Sequence, residues 1–171
     1  MDAISLLREQ LEGAYRFLDW TMEDVTPDQV VWIPTGLANP LGAIYAHALI
    51  VLDDTVNHLL KQDAPLFASS WVGRTGISDP LVLVDHGRAL AIQVDLPTAR
   101  KYGRAVYESA DAYLVTLKPE MLESTVDLST IGLGTRTLAF TLNRIILAHL
   151  DNMTGEVSCL KGLQGARGYP V

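Results

Sequence analysis

Near the start of the chain, Ile4, Leu7, Leu11, Ala14, Leu18 and Met22 recur at steps of three and four residues. That spacing lays one apolar stripe along a helix and predicts a first helix over 3–22. Thr26-Pro27-Asp28-Gln29 has the form of a capping box with proline at the first helical position. Val30, Val31 and Trp32 follow before Pro34 and Gly36 break the pattern, so one short helical turn is expected. Asn39-Pro40 reads as a helix start, asparagine as N-cap and proline at N1. The run Leu41, Ile44, Ala48, Val51, Leu52, Val56 and Leu59 carries that second helix to about Gln62.

The stretch 63–94 is rich in Gly, Pro, Ser and Asp around Trp71 and reads as irregular, with Leu81-Val82-Leu83-Val84 as a short strand or an extended crossing segment. Helical spacing returns over 97–117 at Tyr102, Ala105, Val106, Ala110, Tyr113, Leu114 and Leu117, and Pro119 stops it. A second irregular stretch, 120–134, leads to an uninterrupted helical pattern over 138–160 that closes at Gly162. Four long helices, a long irregular crossover between the second and third, and no convincing sheet predict an all-α fold. The expected architecture is a four-helix bundle, with 1–171 as one domain.

Composition narrows the function classes. Thirteen Lys and Arg against twenty Asp and Glu give a formal charge of -7, the wrong sign for gripping nucleic acid or anionic lipid. No apolar run approaches the ~18 residues of a membrane span, and Met1-Asp2-Ala3-Ile4-Ser5 lacks the basic, apolar form of a signal peptide, which predicts a cytoplasmic protein. Cys159 is the single cysteine, which rules out an intramolecular disulfide and a thiolate-rich zinc site; its default reading is a buried small hydrophobe. Any metal therefore needs histidine or carboxylate. The glycine-rich Gly162-Leu163-Gln164-Gly165-Ala166-Arg167-Gly168 follows a helix where a phosphate loop must precede one, and no GxSxG elbow supports a hydrolytic triad.

Three of the four histidines lie on the two most apolar helices. On the second, His47, Asp54 and His58 fall within about 20° of one line if the helix is regular. On the fourth, His149, Met153 and Glu156 form a similar line. If the stripes face each other, two imidazoles and one or two carboxylates meet in the core, a set suited to a divalent cation. The plainer reading of Asp54 and His58 is a surface pair one turn apart, and of Met153 core filling.

Three stretches resemble the DinB/YfiT-like superfamily, four-helix bundles of bacteria that include thiol-dependent transferases and a mycothiol-dependent maleylpyruvate isomerase. They are Asn39-Pro40-Leu41-Gly42-Ala43-Ile44-Tyr45-Ala46-His47 with Asp53-Asp54 behind it, the helix from Tyr102 with its exit Lys118-Pro119-Glu120-Met121-Leu122, and His149-Leu150-Asp151-Asn152-Met153-Thr154-Gly155-Glu156 with the ending from Leu160 to Pro170. The resemblance implies nickel or zinc held by three histidines near the open end of the bundle. His47 and His149 match the first two ligands, and Met153 stands where the family has the third histidine. Asp151 and Asn152 point away on an ideal helix, which leaves Glu156 as the better replacement.

Two readings follow. In one, the chain is a metal-dependent enzyme that activates a low-molecular-weight thiol for transfer or isomerisation, with His47, His149 and Glu156 or water around the cation. In the other, it is a non-catalytic bundle that binds a small apolar ligand or a protein partner without metal. The family habit also implies a homodimer.

Overall fold

The computed structural model describes residues 2–80 and 85–171; the Leu81-Val82-Leu83-Val84 run of the sequence reading lies outside them. Helix α1 spans Ala3–Thr21, and the Asp2 carboxylate accepts from the Ser5 amide to close its first turn. The short α2, Pro27–Val31, carries the full capping box: the Thr26 hydroxyl accepts from the Gln29 amide and the Gln29 side chain accepts from the Thr26 amide. Helix α3 runs over Leu41–Asp53 and continues as a seven-residue π-helical stretch, Asp54–Leu60. Gln62, at a left-handed φ of 59°, ends it. The expected asparagine cap is absent. Pro40 holds the N-cap position without a side-chain bond, and the Asn39 amide oxygen instead lies 3.0 Å from Nδ1 of His86, at the start of α4, His86–Ala91.

Helix α5, Leu96–Thr116, starts from an Asp95 cap. The irregular stretch behind it contains a small element the sequence reading lacked, an antiparallel pair of β1, Thr125–Asp127, and β2, Thr135–Thr137. Three residues per strand, mostly Thr and charged and mostly exposed, leave no hydrophobic alternation to read. The last helical run is α6, Leu138–Phe140, a second seven-residue π-helical stretch, Thr141–Leu147, and α7, Ala148–Leu163.

The chain is mostly helical, and its four long helices pack in a ring: α1 on α5 and α7, and α3 on α5 and α7. Side-chain pairs give the directions. Arg8–Asp111, Tyr15–Tyr107 and Asp19–Arg100 descend α5 as they ascend α1, so these two run antiparallel. Tyr102 with Asp53 and Ser109 with Asn57 make α3 and α5 parallel. Lys161, buried beside α1, donates to the Thr21 carbonyl at its end and to Asp24, so α7 runs with α1. The crossover from α3 to α5 therefore returns the chain to the end from which α3 began, which is why it is long. Gly76 in this crossover has φ +74°, and a Cβ there would lie 2.7 Å from the Ala99 amide nitrogen.

The core is the shared interior of the ring, with Leu11, Leu18, Leu49, Ile50, Leu52, Tyr102, Val106, Leu150 and Val157 among its buried side chains. No helix among the described residues is long and apolar enough to cross a membrane.

Candidate metal centre

His47 sits in the middle of α3 among buried neighbours, and His149 is the second residue of α7. Because α3 and α7 pack against each other, the two rings meet: their Nε2 atoms are 3.2 Å apart, and the ring planes stand at 73° with centroids 5.0 Å apart. Both residues are half-buried. Burial, and secondarily the adjacent His47, push the His149 imidazole down to about 4. At neutral pH that ring is uncharged, so its nitrogen lone pair is available to a proton donor or a cation.

The spacing suits a shared cation. Two nitrogens each ~2.0–2.1 Å from one tetrahedral ion stand roughly 3.3–3.4 Å apart, close to the separation of the pair. The third position does not fit a borderline divalent ion. Met153, buried at 9% exposure, follows His149 by one turn and offers a thioether. Glu156 is exposed, its carboxyl raised by partial desolvation, and among the described residues no group of three or more His, Cys, Asp or Glu side chains is placed to hold a metal ion. Asp151 and Asn152 are exposed, as their helical phase predicts.

His58 does not join the pair. His58 follows His47 by eleven residues, roughly 16 Å along a helix axis, and the π-helical winding over Asp54–Leu60 shifts its phase as well. His58 faces solvent with Nδ1 3.2 Å from the Asp54 carboxylate, which is the plainer surface-pair reading. Cys159 corrects another expectation: it is exposed, because Val157, Leu160 and Lys161 take the buried face of α7.

The most heavily bonded acid among the described residues is not one of the site residues predicted from the sequence. Asp53 is fully buried, and its carboxylate accepts from Asn57 Nδ2 (2.7 Å), the Leu66 and Phe67 amides (2.9 Å each) and the Tyr102 hydroxyl (2.6 Å). Asn57 and Ser109 continue the network to the Lys61 ammonium. The readable signal is an acid at a core phase of an otherwise apolar helix, followed four residues later by asparagine. Its role is to tie the crossover to α3 and α5.

No curated protein matches the sequence. A solved structure described as "the conserved protein of locus from Enterococcus faecalis" shares the fold, with a TM-score of 0.75 and 20% identity over 95% of this chain and 99% of that one. The model of the DinB superfamily matches residues 10–152, a span that takes in both histidines and stops one residue before Met153. With most of its length inside that match, the chain belongs to the DinB superfamily.

Proposed function

We propose that the chain is a metal-binding member of its superfamily, with the cation held through the Nε2 atoms of His47 and His149. In the enzymatic form of this reading His47 and His149, with Glu156 or water completing the shell, would hold a nickel or zinc ion, which would supply Lewis acidity for the transfer or isomerisation of a low-molecular-weight thiol. The ring of four long helices supports a four-helix bundle as the scaffold, since facing helices of a bundle core are where such sites are built. The observation that carries the reading is the 3.2 Å approach of two ring nitrogens, one of them on an imidazole that burial keeps uncharged.

The test is elemental analysis of untagged protein purified without chelator, followed by metal titration of the stripped sample. Near-stoichiometric transition metal is expected, lost in His47→Ala and in His149→Ala with helical content retained. Unchanged metal content in both variants removes these residues as ligands. A second reading, a bundle without metal chemistry that takes a small apolar ligand or a protein partner, is favoured by one observation. Among the described residues no Asp, Glu, Cys or further His side chain joins the pair as a third donor. Retention of a hydrophobic probe by protein that binds no metal selects this reading.

A further inference from the structure

We propose that the Met153 thioether is the third donor of this site, making a two-imidazole, one-thioether centre that selects monovalent copper over zinc and nickel. The inference rests on the metal-binding reading of the histidine pair and departs from its nickel or zinc form in the third donor and the ion it assigns.

Three observations carry it. His149 and Met153 are one turn apart within the regular part of α7, so their side chains lie on one face with Cβ atoms ~5–6 Å apart. Of the residues that follow His149, Met153 is buried while Asp151, Asn152 and Glu156 are exposed, so the donor type on the buried face one turn beyond His149 is sulfur. As ligands, neutral imidazoles and a thioether carry no charge, and among the described residues no Asp, Glu or Cys is grouped with the histidine pair. An uncharged, half-buried donor set favours a singly charged ion, because the desolvation cost of an ion rises with the square of its charge. Thioether sulfur is a soft ligand that suits Cu(I), whereas zinc sites are built from thiolate, imidazole and carboxylate.

The test uses the full chain carrying Cys159→Ser, since the exposed Cys159 thiol is itself a soft ligand. Anaerobic, ascorbate-reduced copper is titrated against the colorimetric chelator bicinchoninate, and zinc and nickel are titrated by calorimetry. The expected result is one equivalent of Cu(I), bound roughly 100-fold or more tighter than zinc. Met153→Leu should weaken Cu(I) by roughly tenfold or more and remove the sulfur scatterer from the copper X-ray absorption spectrum. Met153→His should turn the preference toward zinc and nickel. Circular dichroism confirms that each variant is folded, and the two Met153 substitutions provide independent readings.

Cu(I) binding that is unchanged in Met153→Leu but lost in His47→Ala leaves the histidine pair as ligands and overturns the thioether assignment. Zinc bound more tightly than Cu(I) by the parent chain overturns the selectivity in the same way. Absence of binding by all three ions overturns the metal reading of the pair itself.

Discussion

Replacing Asp53 by Asn tests whether the crossover is held to the helices by one buried carboxylate. The substitution keeps the volume but leaves one acceptor oxygen where two now receive four hydrogen bonds, and it points an NH2 group at donors. Each bond to a charged acceptor is worth ~1.5–3 kcal/mol, but the four are not additive, and removing one partner from a buried charged network costs ~3–5 kcal/mol. With the amide retaining part of the network, Asp53→Asn should lose about 3 kcal/mol, which for a domain of this size lowers Tm by roughly 6–12 °C. Tyr102→Phe removes only the 2.6 Å hydroxyl bond and should lose about 1–2 kcal/mol. Urea unfolding of both single variants and the double variant should give a coupling of about 1 kcal/mol or more. Amide exchange at Leu66 and Phe67 should accelerate in Asp53→Asn. A stability within about 0.5 kcal/mol of the parent, with exchange at those amides unchanged, would refute the argument.

Protonation of His149 should couple to stability. Its folded value of about 4 lies below the ordinary 6.5, so between those limits the unfolded chain binds a proton that the native chain does not. Stability should therefore fall as pH drops from about 6.5 to about 4, by at most about 3 kcal/mol at ~1.36 kcal/mol per pH unit, and this contribution is absent above 6.5. Urea midpoints across this range should show a shallower slope in His149→Gln, and an identical slope contradicts the assignment. Gly42→Ala would place a Cβ 2.6 Å from Val30 Cγ1 and 3.0 Å from the Val30 carbonyl oxygen, where α2 lies on α3. Overpacking should cost about 1–3 kcal/mol in a thermal melt, with partial recovery when Val30 is also cut to Ala.

The helical class and the pairing of His47 with His149 were legible because both follow from apolar spacing: a stripe has to be buried, and burying the two longest stripes against each other carries their polar members together. The π-helical stretches were not legible. Residues 54–60 and 141–147 have the composition of ordinary helix, and the widened turn changes the phase without a marker residue. A shared phase also leaves out the rise along the axis, roughly 16 Å between His47 and His58, which keeps His58 from the pair. Cys159 was misread for a different reason: a residue's average tendency to be buried yields to helical phase when its neighbours already fill the core. Asp53 was read only as half of an acidic pair trailing His47, because its four partners come from three separate stretches of chain that only the tertiary structure assembles.

The two widened turns lie opposite each other. Val56 from the first and Leu142, Ile146 and Leu147 from the second line the same small cavity. A π turn accommodates one more residue than an α turn, so each acts as a single-residue insertion that rotates the rest of its helix by roughly 100°. Such an insertion in one helix alone would swing its apolar face out of the ring. Placed on two facing helices at the same level, the insertions meet around shared core residues. The length of each helix is thus constrained by the length of the other. Deleting one residue from 54–60 is expected to be far more harmful than deleting one from each stretch together, an insertion–deletion coupling that point substitutions do not expose.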